Sequence, residues 1–389
     1  MRALRLCIAL ALLLCFGRSA MAADPLDIHV IVALTGSNAF AGNASKDSLT
    51  ALQAQVNANG GINGRPLNFV YSDSQSNPQT AVQLTTQILA SHPPLIIGET
   101  SVAGCNAMAA FLKNGPVQFC LSPGFRPERG GYSYTIGLSA IDQMRVIWRY
   151  LREKRWDKVA IIVGTDATGR LAEPDFATVE ALPENKDVHV VTLEHFNPTD
   201  VTIAAQVARI RASGAQVIVA WVNGSPFGTV IRSLKDAALS LPMVAGTGNL
   251  SYKELQSFAD YVPSTMFFTW TAVPASDQPI PNGPQKAAQM AYFTTMKAQG
   301  IRPDYGHAGS WDTGLVAVAA LRAVGPDATP EQMRAYVNSI HGLAGVQAVF
   351  DFRSGDMRGI PIDAARLLQW DNGKESWHVA SGPGGSVRL

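Results

Sequence analysis

The chain has 389 residues, 47% of them hydrophobic and 16% charged, with 31 basic against 30 acidic side chains. That composition supplies apolar material for one or two globular cores. The balanced charge argues against nucleic acid as a partner.

Residues 1–22 stand apart. Arg2 and Arg5 precede an apolar run from Leu6 to Phe16, and Ala20-Met21-Ala22 forms an A-x-A cleavage pattern. A secretory signal peptide is expected here, with the mature chain starting at Ala23. The run is shorter than the roughly 20 residues of a membrane span, and Leu14 before Cys15 disfavours lipidation. Subtracting Arg2, Arg5 and Arg18 from 31 basic residues leaves 28 against 30 acidic ones, a net charge of −2. Cys7 and Cys15 leave with the signal. Cys105 and Cys120 remain in an oxidising compartment, either as a disulfide or as two small buried thiols.

In chain order, Asp27–Leu34 is β-branched and reads as a strand, and Leu49, Leu52 and Val56 fall at helical spacing before Asn59-Gly60-Gly61. A strand at Leu67–Tyr71, a helix opened by Asn77-Pro78, and a strand beginning at Leu95 follow. The stretch Leu95–Pro127 predicts strand, loop, helix over Asn106–Lys113, strand and loop. Tyr132–Ile136 predicts a short strand and Ile141–Lys154 an amphipathic helix. The pattern then restarts with strands at Lys158–Val163, Val188–Leu193, Gln216–Val222 and Met243–Gly246. Helices near Leu171–Leu182, Val201–Ala212 and Phe227–Ala238 separate them. Such alternation indicates βαβ units and parallel sheets, and two runs of it indicate two α/β domains.

After a strand at Met266–Trp270, Pro274, Pro279, Pro281 and Pro284 mark an irregular loop. Helices Gln285–Gln299, Ser310–Val324 and Glu331–Ile340 come next, then strands Ala348–Phe352 and Ala365–Trp370. The turn Asp371-Asn372-Gly373 leads into Ser376–Ala380.

Catalytic signatures are missing. No phosphate loop, nucleophile elbow or zinc helix occurs, and the glycines after the first strand lack dinucleotide-binding spacing. The seven histidines are scattered, and neither a metal nor a cofactor is expected. What remains is a set of hydroxyl- and amide-rich loops after strands, suited to holding a small polar molecule between two domains.

The segments Ala33-Leu34-Thr35-Gly36, Asn59-Gly60-Gly61-Ile62-Asn63-Gly64, Asn77-Pro78, Ile97-Gly98 and Ser122-Pro123-Gly124, in this order and spacing, make the chain resemble the branched-chain amino-acid-binding group of type I periplasmic binding proteins, which serve ABC importers. The resemblance covers nearly the whole mature chain. It implies an α/β fold of two doubly wound parallel-sheet domains joined by three hinge crossings. The N-terminal lobe would comprise 23–139 plus 275–347, and the C-terminal lobe 140–274 plus 348–389. It also implies a non-enzymatic, monomeric periplasmic receptor that closes on its ligand and delivers it to a membrane permease.

Carried over by position, the family's carboxylate-binding loops fall at Ser101, Val102, Ala103 and Gly104, and at Gly124, Phe125 and Arg126. The family's ammonium-binding acid falls at Thr247, and its covering aromatics fall at Thr168 and near Asn223. Loss of the acid and gain of Arg126 favour a carboxylate ligand without an amine. Phe40, Phe125, Trp221, Phe227, Tyr305, His307 and Trp311 would offer it an apolar or aromatic wall. The competing readings are an Arg126 ion pair with Glu128 or Glu99, and core packing for the aromatics, Trp311 above all. At the level of function the alternatives are a ligand-sensing subunit of the same fold, a binder of hydrophobic amino acids and, third, an exported α/β hydrolase.

Overall fold

The computed structural model describes residues 24–271, 273 and 280–387. The expected signal peptide and part of the Pro-rich loop lie outside them. Along the chain the strands are β1 (Leu26–Val32), β2 (Leu67–Asp73), β3 (Leu95–Gly98), β4 (Val117–Cys120), β5 (Ser133–Thr135), β6 (Lys158–Gly164), β7 (His189–Phe196), β8 (Val217–Trp221), β9 (Met243–Ala245), β10 (Met266–Thr271), β11 (His341–Ala344), β12 (Val349–Asp351), β13 (Ala365–Asp371) and β14 (Ser376–Val379). The helices are α1 (Ala39–Ala58), α2 (Pro78–Leu89), α3 (Val102–Ala109), α4 (Ala140–Lys154), α5 (Ala167–Glu180), α6 (Ala204–Ser213), α7 (Ser225–Asp236), α8 (Tyr252–Ser257), α9 (Lys286–Ala298), α10 (Tyr305–Val324) and α11 (Pro330–Ser339).

β1 to β5 form one sheet in the order β2-β1-β3-β4-β5, with every pair parallel. The central strands are buried on both faces, which is why they read as continuous apolar runs such as Leu95-Ile96-Ile97. The second sheet runs β7-β6-β8-β9-β10-β13-β14. Its first five strands are parallel, whereas β13 and β14 add antiparallel. The antiparallel pairing of β13 with β14 follows from the short turn at Asp371-Asn372-Gly373, which leaves no length for a crossover helix.

The chain passes between the sheets three times: before α4, between β10 and α9, and after β12. On its return, α10 lies against α1, where Ser48 Oγ donates to the His307 carbonyl (2.7 Å) and Ser310 Oγ to Ser45 Oγ (2.8 Å). The contact is close enough that a Cβ on Gly314 would stand 2.4 Å from Leu52 Cδ2. α11 is tied to β5 through Tyr134 Oη and Asn338 Oδ1 (2.8 Å). The β11–β12 hairpin stays on this side, with the Phe352 ring 6.0 Å from that of Tyr134. The expected division at 347/348 therefore falls inside a hairpin whose two strands pair with each other.

Several helices begin earlier than their apolar periodicity suggests, because a cap precedes the periodic residues. Ser101 caps α3, so that helix covers Val102–Ala109 in place of the expected Asn106–Lys113. Asp166 caps α5, and an Asp304–His307 capping box starts α10.

Candidate functional site

Parallel strands present their C-terminal ends on one edge, and here the edges of the two sheets meet. Ser225 N–H faces the Ser37 carbonyl at 3.5 Å. Gly224, with φ +69°, lies so close that a Cβ would be 2.4 Å from that oxygen, so only glycine fits. Arg126 reaches α5, and Lys253 Nζ lies 3.8 Å from Asp47 Oδ2.

On the first lobe, Asp73 at the end of β2 organises the loop after β1. Its carboxylate accepts from Leu34 N–H (2.9 Å), Thr35 Oγ1 (2.8 Å) and Gln75 N–H (2.8 Å). Burial pulls its pKa upward, but the donors from Gln75, Thr35 and Leu34 outweigh this and hold it below the ordinary carboxylate range. Asn38 Nδ2 donates to Thr100 Oγ1 (3.0 Å), joining the loops after β1 and β3.

Glu99 is buried beneath the start of α3. It accepts from Ser74 Oγ (2.7 Å), Ser101 N–H (2.9 Å) and the Ser101 hydroxyl. The Ser101 hydroxyl in turn accepts the Gly104 N–H (3.0 Å). The positive end of α3 thus already faces a carboxylate of its own chain, while the N–H groups of Val102 and Ala103 have no partner among the described residues.

Cys105 and Cys120 form a disulfide with Cα atoms 5.8 Å apart, and Phe125 packs on it. The bond joins the first turns of α3 to the strand end that launches the Ser122–Arg126 loop. Arg126 carries that loop to the second lobe: its Nη2 donates to Asp175 Oδ2 at 2.5 Å and to the Leu171 carbonyl. Neither Glu128 nor Glu99 is its partner. Its Nε and Nη1 make no hydrogen bond with a described residue. Burial raises the Asp175 pKa further than Arg126 lowers it. Behind the loop, Arg358 donates to the carbonyls of Pro123 (3.0 Å), Gly137 (3.2 Å) and Phe125. Burial pushes its pKa down to about 10.

On the second lobe, the residues following β6, β8 and β9 carry one carboxylate among those described, Asp166, and it is taken by the Gly169 N–H (3.0 Å). Asn249 accepts from Gly224 N–H (3.1 Å) and donates to the Val222 carbonyl (2.6 Å), fixing the loop that bears Asn223. Gln143 on α4 receives the Thr247 N–H (3.3 Å) and the Thr269 hydroxyl (2.7 Å). Trp221 ends β8 with its ring 5.6 Å from Phe176 and against Gly246.

Of the residues singled out from sequence, Ser101, Ala103, Gly124, Thr168 and Asn223 lie half-buried at the facing loops, with Phe40 half-buried in the first turn of α1. Val102, Gly104 and Thr247 are buried there, and Arg126 is exposed at the rim. Phe125 lies on the disulfide, Phe227 in the main core, and His307 beside Asp304 with Nδ1···Oδ1 2.7 Å. Trp311 packs on Tyr292 in the core, with ring centroids 5.1 Å apart. A cavity of about 10 Å³ lies within the first lobe, between the loops of its sheet and the start of α10, lined by Ala41, Ser45, Thr100, Pro123, Tyr305 and Ser310. Sequence reasoning missed Glu99 as the counter-charge of α3, and it missed Asp175, Arg358 and Gln143. No periodicity or motif marks any of the four.

Glu254 on α8 is fully buried, and its Oε1 has no hydrogen-bond partner among the described residues. Burial, then the neighbouring Asp304, pushes its pKa up to about 8. Asp312 on α10 accepts from the Val346 (2.7 Å) and Gln347 (2.9 Å) N–H groups, and burial raises it to about 7. No group of metal-ligating side chains occurs among the described residues, and none of their helices is long and apolar enough to cross a membrane.

Residues 25–375 match the family model for periplasmic binding proteins. The Leu/Ile/Val-binding protein homolog 1 of Brucella abortus is 26% identical over 280 residues, which is 70% of this chain and 73% of that protein. An extracellular ligand-binding receptor from Rhodopseudomonas palustris HaA2 superposes with a TM-score of 0.81 at 16% identity, covering 91% of this chain and 99% of the other. A solute-binding protein of an R. palustris ABC transporter, in complex with benzoate, gives 0.76 at 18% identity, with coverages of 92% and 96%.

Proposed function

The chain belongs to the periplasmic binding proteins, a family that binds substrates without transforming them, and from that membership we propose a receptor for a small carboxylate with an aromatic or otherwise apolar body. It works in the periplasm as a monomer after loss of its signal peptide, and delivers the ligand to the permease of an ABC importer. The observation that carries the ligand class is the missing counter-charge for an amine. The second-lobe loops offer Thr168, Asn223 and Thr247; of the acids at the strand ends, Asp73 and Glu99 are each held by several donors of the first lobe, and Asp166 serves as the cap of α5 through the Gly169 N–H. An ammonium group enclosed there would lie unpaired, at a cost of several kcal/mol, roughly.

The carboxylate is received by the N–H groups of Val102 and Ala103 and the Nε–Nη1 side of Arg126. Gly124 leaves room for it, and Phe40 and Tyr305 flank its apolar body. The benzoate complex of the R. palustris protein supports this choice.

The test is a thermal-shift screen of benzoate, aliphatic acids and amino acids on the mature protein, because a ligand at one hundred times its Kd adds about 2.7 kcal/mol of stability. Benzoate-like acids are expected to raise Tm and leucine is not. A second reading, hydrophobic amino-acid binding, is favoured by the Leu/Ile/Val-binding relatives. Stabilisation by leucine, with none by its des-amino analogue, would establish it and sink the first. Arg126→Ala is expected to weaken the best acid at least tenfold; unchanged affinity removes Arg126 from the ligand's contacts.

A further inference from the structure

We propose that Arg358 is a positioning residue that sets specificity: buried behind the Ser122–Arg126 loop, it orients two peptide units of that loop and adds a fixed positive charge, so that the site selects a carboxylate over a neutral or cationic group. This role rests on the reading of the loop as part of the ligand site, and it extends that reading to a side chain that touches no ligand.

Arg358 lies in the last crossing between the lobes and is 9% exposed. Its Nη1 donates to the carbonyls of Pro123 (3.0 Å) and Gly137 (3.2 Å), and its Nη2 to the carbonyl of Phe125. One planar guanidinium thus gathers the loop and the approach to the first crossing onto the third crossing. Asp356 fixes the backbone from which it extends, accepting the N–H groups of Arg358 (2.8 Å) and Gly359 (3.0 Å). None of the three side-chain bonds reaches the second lobe.

A trans peptide unit carries its C=O and N–H on opposite sides. The Pro123–Gly124 and Phe125–Arg126 units are both trans. With their carbonyls drawn to Arg358, the N–H groups of Gly124 and Arg126 point away from it. Neither has a partner among the described residues, whereas the intervening Phe125 N–H is taken by the Ser122 carbonyl (3.2 Å). Gly124 lies against the first residue of α3, where a Cβ would stand 2.8 Å from Val102 Cγ2.

The charge acts together with the bonds. All three acceptors are neutral, and Asp142, Asp356 and Asp175 balance the guanidinium only at longer range. Asp142 is itself engaged by Ser139 (2.6 Å) and Arg145 (3.3 Å), and Asp175 by Arg126. A cation kept from water retains more of its field than one at the surface, and each carbonyl it polarises makes the N–H across the same peptide unit a stronger donor. A carboxylate in front of the loop is drawn by this field, and an ammonium group is repelled.

Calorimetric titration of the full mature protein with benzoate and with benzamide, its neutral counterpart, tests this. Arg358→Gln is expected to lower the ratio of the two affinities about tenfold, equivalent to about 1.4 kcal/mol. Arg358→Lys keeps the charge and is expected to hold the ratio within about threefold of wild type, or about 0.65 kcal/mol. A merely structural role would weaken both probes alike, with no rescue of the ratio by lysine, and that result overturns the proposal. The amide nitrogen resonances of the same proteins without added ligand give a second readout. Those of Gly124 and Arg126, whose preceding carbonyls Arg358 holds, are expected to shift further than that of Phe125; equal shifts, or none, overturn the proposal as well. Should the Gln variant fail to fold, the Lys variant serves for the resonances, since one ammonium cannot hold both carbonyls. If wild type binds leucine and neither aromatic probe, the ligand class is wrong, and leucine against leucinamide replaces the pair. An undiminished preference for the carboxylate in Arg358→Gln then overturns the role of Arg358 separately.

Discussion

Glu99 and Ser101 are locked in a reciprocal arrangement with the first turn of α3: the Glu99 carboxylate takes the Ser101 N–H (2.9 Å) and hydroxyl, and the hydroxyl oxygen takes the Gly104 N–H (3.0 Å). The carboxylate leaves no space above it, since a Cβ on Gly104 would stand 2.2 Å from Oε2. Gly104→Ala should therefore lower stability by about 1–3 kcal/mol through overpacking, despite a helix-propensity gain of up to ~1 kcal/mol. Denaturant unfolding measures it, and a variant as stable as wild type would show that Glu99 moves freely.

The disulfide spans a sequence separation of 15 and joins the two first-lobe loops. Cys105→Ser with Cys120→Ser should cost about 3 kcal/mol by loop-closure entropy. Urea unfolding with and without a strong reductant checks this. Reductant should bring wild type to the variant's midpoint and leave the variant where it is.

Stability should depend on pH through Glu254. Burial, with Asp304 nearby, raises its pKa from 4.5 to about 8. Between these values the unfolded chain has released a proton that the folded chain keeps, so stability falls as pH rises, by up to about 1.4 kcal/mol per pH unit, and levels off above the upper value. Asp312, raised from 3.8 to about 7, acts in the same direction over a lower window. Glu254→Gln should flatten the curve between pH 5 and 8. Parallel Tm–pH curves for the two proteins would refute the assignment.

Arg358 should not tolerate lysine. A single ammonium cannot reproduce the forked reach to Pro123, Gly137 and Phe125. Arg358→Lys should cost about 1–3 kcal/mol, the range for buried acceptors left short of donors. Hydrogen exchange at the Phe125 amide should quicken as well; unchanged exchange would separate Arg358 from the Ser122–Arg126 loop.

The order of strands and helices was legible because apolar runs such as Val159–Val163 and periodic faces such as Met144, Ile147 and Leu151 each allow one partner surface. Short or capped elements were not. α8 has six residues and β11 four, too few for a period to emerge. Loop positions in the candidate site could be read because parallel strands fix which ends share an edge. The partners of charged residues could not, since they depend on contacts far apart in sequence: Arg126 meets Asp175, 49 residues away, and Arg358 meets Phe125, 233 residues away. Phe227 illustrates the opposite error. An aromatic at a helix start satisfies the description of a ligand wall and of a core residue equally, and burial decided for the core.

The return of the chain to each sheet also fixes when folding can finish. Ser48 waits for His307, and Met266–Thr271 wait for Ala365–Trp370 on the far side of the partner lobe. During synthesis neither lobe acquires its full set of layers until most of the polypeptide has left the ribosome, and contacts this distant carry a large loop-closure cost. In a chain so built, the last strands to be made complete the sheet that the middle of the chain began.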